Sequence, residues 1–181
     1  MTTRAYGDRL RTACKRAGPG RLPYADRPDV GAGFAGASAA IAATLAFAFG
    51  VVAVDELGLV GGLDGTVLAT TGLAALPLVA PAAFAAGVLT WRALPDGLPI
   101  YGVAAGFLGT VFTYLGATAL LALVLVLAAW GSWSEVMLTD AFLFAVGIGY
   151  IGFLLTAWVT VPIGCLSGAI YERVGLAGQS E

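Results

Sequence analysis

Four stretches without a single charged side chain, residues 32–54, 66–91, 100–131 and 141–171, make up most of this chain. A helix needs about 20 apolar residues to cross a hydrocarbon core of about 30 Å, so each stretch is long enough to span a bilayer. Within hydrocarbon every backbone amide must find its partner inside the segment, which leaves the α-helix as the conformation available to an isolated span. The sequence therefore predicts an all-α integral membrane protein, a four-transmembrane-helix bundle. A tail of residues 1–31 precedes it and a tail of residues 172–181 follows it.

Composition supports the same reading. Charged residues are 11% of the chain and mean hydropathy is +0.91, whereas soluble domains carry about 25% charge. The bias is opposite to that of disordered chains. A net charge of −2, with no large basic domain, argues against nucleic acid as a partner. The linkers read DELGLVGGLDG over 55–65, RALPDGLP over 92–99 and SWSEVMLTD over 132–140, all turn-rich or polar.

Basic residues set the expected orientation. Arg4, Arg9, Arg11, Lys15, Arg16, Arg21, Arg27, Arg92 and Arg173 all fall on the side shared by the two tails and the middle linker. The other two linkers hold Asp55, Glu56, Asp64, Glu135 and Asp140 and no base. By the positive-inside rule both termini are expected in the cytoplasm, with the chain in the plasma membrane as a multi-pass protein. Trp91, Tyr101 and Tyr171 fall at inner span ends, and Trp130 and Trp133 at an outer one. Aromatic residues with wet tips favour those interfaces. Trp158 lies deeper, where the sequence suggests a packing role. The first span is preceded by 31 residues, which disfavours a cleaved signal peptide.

The tail of residues 1–31 holds seven of the nine bases. Tyr6, Leu10, Cys14 and Ala17 recur at helical spacing among them, which suits an interfacial helix attracted to anionic lipid. The alternative is a solvated tail that merely obeys the topology rule. Cys14 and Cys165 lie in reducing or lipid surroundings, so no structural disulfide is expected.

Two fragments recur. AGFAG opens the first span at Ala32, and AGFLG opens the third at Ala105. Pro81, Gly87 and Arg92 near the end of the second span have the same spacing as Pro162, Gly168 and Arg173 near the end of the fourth. This pattern suggests two duplicated parallel helical hairpins, spans 1–2 and 3–4; coincidence in an alanine- and glycine-rich chain is the competing explanation. Pro77, Pro81 and Pro162 are expected to kink their helices, because proline lacks the donor and crowds the preceding turn. The freed carbonyls suggest that the kinks face protein.

Small and hydroxylated residues form stripes at four-residue spacing: Gly102, Gly106, Thr110, Tyr114 and Thr118 in the third span, and Gly152, Thr156, Thr160, Gly164 and Gly168 in the fourth. Shorter ones are Gly36, Ala40, Thr44 and Ala48 in the first span, and Thr66, Thr70 and Ala74 in the second. Because lipid supplies little hydrophobic drive for helix association, small residues and hydroxyls make the contacts. Such stripes serve close packing, within a bundle or a dimer, or they line a weakly polar path.

No span holds Asp, Glu, Lys, Arg or His, and the chain has no histidine. Ionisable groups in a membrane usually mark proton relays and ion paths, so a proton-coupled pump is disfavoured. Ser38 and Ser167 have no base beside them in sequence. No cofactor, metal or nucleotide motif stands out. The acids Asp55, Glu56 and Asp64, or Glu135 and Asp140, read as a solvated surface rather than a cation site. The expected role is a non-enzymatic accessory, assembly or scaffold subunit that packs through small-residue faces, as a homo-oligomer or with a larger membrane-protein partner. The alternative is a small channel or transporter formed by homo-oligomerisation. An enzyme is the least favoured reading and would need rim groups such as Arg92, Asp96, Glu172 and Arg173.

Overall fold

A computed structural model describes residues 27–58, 64–94, 100–128 and 135–178. These residues form five helices and no strand: α1 (Pro28–Glu56), α2 (Gly65–Ala74), α3 (Leu76–Ala93), α4 (Tyr101–Ala128) and α5 (Glu135–Gly178). Four helices are long and apolar enough to cross a membrane: α1, α3, α4 and the Leu138–Arg173 part of α5. The interfacial helix expected in the tail of residues 1–31, on Tyr6, Leu10, Cys14 and Ala17, falls on residues outside the described ones, as do Asp96, Trp130 and Trp133.

Helix ends follow local chemistry. Pro28 occupies the first turn of α1, where its missing N–H leaves no bond unmade. The Asp64 carboxylate caps α2 by accepting from the amides of Thr66 and Val67, the usual device for the orphan donors of a helix start. Asp55, at the end of α1, accepts from the Gly65 amide at 2.9 Å and ties the two helices across their loop. Asp55 and Asp64 are thus engaged with backbone amides. Gly58 has φ +65°, a left-handed conformation that ends the α1 turn and suits glycine.

The second span differs from the single helix expected over 66–91. It is divided at Ala75 into α2 and α3, with Pro77 in the first turn of α3. Pro77 has no N–H to continue the ladder of α2, so the chain restarts the helix there. At its other end the chain is more helical than expected: α5 starts at Glu135, inside the stretch read as a linker, and runs on past Arg173.

The prolines expected to face protein are not covered by other helices of this chain. Pro77, Pro81 and Pro162 all lie on exposed faces of their helices.

The helices pack as a ring. α1 lies against α3 and α5, α4 lies against α3 and α5, and α1 and α4 barely meet across the diagonal. The α4–α5 contact is the most extensive. Its closest points are glycines: a Cβ on Gly102 would meet the carbonyl of Gly168, and a Cβ on Gly106 the carbonyl of Gly164. In the α1–α3 hairpin a Cβ on Gly36 would lie 3.0 Å from the Ala83 carbonyl, and one on Gly87 would lie 2.7 Å from the Ala32 carbonyl. The two hairpins thus share one contact register, in which Gly36 corresponds to Gly106 and Ala32 to Gly102. That register is about one helical turn from the alignment of AGFAG with AGFLG, so both settings present the same face.

Candidate functional site: a hydroxyl-lined cavity along the bundle

Because α1 and α4 stay apart, the ring encloses a cavity of about 320 Å³. Its walls come from all five helices, and on α4 they run from Ala105 to Leu121, about 24 Å at 1.5 Å per residue. Among the described residues the lining contains no Asp, Glu, Lys, Arg or His.

The structure brings most of the sequence-singled residues to this cavity or to the seam beside it. Gly106, Thr110, Tyr114 and Thr118 of α4 line it, as do Gly152, Thr156, Thr160, Gly164 and Gly168 of α5. Gly102 lies on the seam, and its amide donates to Glu172 at 2.8 Å. Thr118 packs against Gly149, whose place a Cβ would contest. Pro77, Pro81 and Pro162 are not among the lining residues.

Threonine in a helix can donate back to the carbonyl four residues earlier. Thr44, Thr70, Thr71, Thr110, Thr113, Thr156 and Thr160 all do so, at distances from 2.7 to 3.1 Å. The Tyr114 hydroxyl bridges α4 and α5, lying 2.5 Å from the Thr156 hydroxyl and 2.8 Å from that of Thr160. Its ring stands edge-on to Phe153, centroids 5.1 Å apart. The hydroxyl stripes therefore hold hydrogen bonds of their own within their helices.

Thr90 departs from this pattern. It is 1% exposed and lines the cavity, and its Oγ1 has no hydrogen-bond partner among the described residues. It was not singled out from sequence, where one threonine beside Trp91 looks like any other; its burial depends on α3 facing α4.

Aromatic rings gather at the Trp91 end of the cavity. Trp91 is edge-on to both Tyr101 and Tyr171, with centroids 4.8 and 4.9 Å away. The Tyr101 hydroxyl donates to the Trp91 carbonyl, and the Tyr171 hydroxyl donates to the Pro28 carbonyl. Beside these rings the Arg92 guanidinium donates to Asp29 from Nε at 3.0 Å and from Nη2 at 2.5 Å. Arg27 adds a second cation 3.5 Å from the same carboxylate. Further along, Ile148 and Leu155 line the cavity and are 43% and 39% exposed.

Trp158, expected to pack, instead points away from the bundle and is 70% exposed. Its indole N–H donates to the Leu155 carbonyl of its own helix at 2.7 Å. Tyr150, two turns away on the same helix, is 63% exposed. Among the described residues no group of three His, Cys, Asp or Glu is arranged to hold a metal ion. No protein-family profile matches the chain, and neither characterised proteins nor solved structures show a match to it.

Proposed function

We propose that this chain is a non-enzymatic accessory or assembly subunit of the plasma membrane, with both termini in the cytoplasm, and that it docks a larger membrane protein. The observation that carries the reading is the outer face of α5. Tyr150 lies ten residues from Asp140, about 15 Å of helix, and Trp158 lies eight residues deeper, so both sit well inside the apolar segment. Tyrosine and tryptophan prefer the membrane interfaces to mid-depth hydrocarbon, and a protein surface accommodates their polar tips better than acyl chains do. The small-residue stripes are occupied within the chain, where glycine meets glycine across α4 and α5. Docking therefore falls to this aromatic face rather than to the GxxxG stripes.

The orientation rests on the basic residues and on the interfacial aromatics Trp91, Tyr101 and Tyr171 gathered at the Arg92 end. The basic tail is proposed to attract anionic lipid on the same side. The shared contact register of the two hairpins supports a duplication of parallel hairpins.

A second reading, a small transporter or channel built as a homo-oligomer, is favoured by the length of the cavity. Native mass spectrometry after mild-detergent extraction from the native membrane separates the two. The accessory reading expects a foreign membrane protein in fixed stoichiometry, lost on Trp158→Ala without a change in the bundle's melting temperature. A homo-oligomer with no foreign subunit overturns it and favours the transporter.

A further inference from the structure

We infer that the cavity holds a single unbranched alkyl chain, supplied by a membrane lipid or by a free neutral long-chain molecule. The inference concerns what the bundle holds and stands apart from what docks on its outside.

Three glycines mark the space as kept rather than left over. Glycine costs a helix stability relative to alanine. At Gly36, Gly87 and Gly106 the close approach of a second backbone accounts for it. Gly72, Gly109 and Gly152 have no such reason. All three line the cavity, and a Cβ on any of them would meet no atom nearer than 3.7 Å. A methyl group would fit at each and would strengthen its helix, at the expense of the cavity. These glycines hold room that helix packing does not require.

The walls set the chemistry of the guest. Among the described residues the lining carries no charge, so a charged head inside it would lack a counter-charge. The hydroxyl protons of Thr44, Thr71, Thr110, Thr113, Thr156 and Thr160 are committed to carbonyls of their own helices. They are not donors to a polar guest. Each molecule in a column of water needs about two to four polar partners. Lining side chains such as Ala39, Ala43, Leu78 and Leu121 offer none. An empty space leaves its wall atoms without contacts on one side. A hydrocarbon guest restores those contacts and, coming from the hydrocarbon of a bilayer, gives up no hydration.

The shape sets the number of chains. On α4 the walls run from Ala105 to Leu121, about 24 Å of helix. A methylene group takes about the room of a water molecule, about 30 Å³, so 320 Å³ holds about ten such units. Spread over that length they form one file. The space suits one straight chain and not a second chain or a fused-ring molecule such as a sterol.

The test uses the full chain in a sterol-based detergent, whose rings are too wide for a single-file space. The probe is a straight-chain alkane carrying a mid-chain diazirine. Photolabelling should saturate, should map to lining residues such as Ala39, Ala43 and Leu121, and should be displaced by unlabelled hexadecane but not by cholesterol. Gly152→Leu should fill the space and lose the saturable labelling. Gly147→Leu lies on the same helix, equally free of neighbours within 4 Å but off the cavity, and should keep it. Gly72→Leu should repeat the loss from another wall. Only leucine variants that melt like the parent are compared. Gly152→Ala should melt at or above the parent, and a lower melting temperature would show that packing needs the glycine and overturn the argument. Labelling that does not saturate, that survives both filling variants, or that is lost equally with Gly147→Leu overturns the site. Equal displacement by cholesterol overturns the single chain. Native mass spectrometry of the parent from its own membrane separates the two sources: a bound mass of a whole lipid assigns the chain to a lipid, and a smaller neutral mass assigns it to a free long-chain molecule.

Discussion

Gly106 and Gly164 meet so closely that a Cβ on Gly106 would collide with the carbonyl of Gly164, and one on Gly164 would lie 3.1 Å from the carbonyl of Gly106. For Gly106 the obstacle is backbone, which no rotamer change relieves, whereas a Cβ on Gly164 would first meet the Thr110 hydroxyl. Gly106→Leu is therefore expected to separate α4 from α5 at a cost of at least about 2 kcal/mol, read as a lower melting temperature in detergent. Gly147 has nothing within 4 Å of its Cβ position. Gly147→Ala should be neutral or stabilising by about 0.5–1 kcal/mol, since alanine suits a helix interior better. Equal losses from the two changes would contradict the seam.

Tyr114 joins α4 to α5 through Thr156 and Thr160. Both threonines keep their bonds to their own helices when that hydroxyl is removed. Tyr114→Phe should thus cost only about 0.6 kcal/mol, the usual scale for interhelical hydrogen bonds in membranes. A double-mutant cycle of Tyr114→Phe with Thr156→Val measures the shared part; no coupling would mean that the hydroxyls do not meet.

The Asp29–Arg92 pair bridges the start of α1 and the end of α3, with Arg27 beside it. Exposed pairs are screened by salt. Arg92→Gln should lower the melting temperature at low ionic strength, and the difference should shrink at high ionic strength. The exchange Asp29→Arg with Arg92→Asp should restore stability only in part, because Arg27 would repel the new arginine. A salt-independent loss would point to packing of the arginine stem instead.

Pro77 separates α2 from α3. Pro77→Ala supplies the missing N–H and is expected to join them into one helix, since the ring projects outward and supports no contact inside the bundle. Hydrogen exchange across residues 73–78 reads the result: protection should rise in the variant. Unchanged rapid exchange would place the cause of the break elsewhere than in the proline.

What the sequence determined by itself was the number and nature of the spans. Hydrocarbon forbids unpaired backbone, so four long charge-free runs leave helices as the solution whatever their neighbours. It also marked Gly102, Gly106, Gly164 and Gly168, because close approach between membrane helices needs small residues. Which glycine faces which was decided by the tertiary structure, as was the use of both stripes inside one chain. Register depends on where α4 and α5 cross, which their spacing alone does not state. The outward prolines, the exposed Trp158 and the orphan hydroxyl of Thr90 have the same origin. Each depends on how a helix is rotated about its own axis, and helices this uniformly apolar carry almost no sequence signal for that rotation. Packing of whole faces sets it, and that packing left space along the middle of the ring.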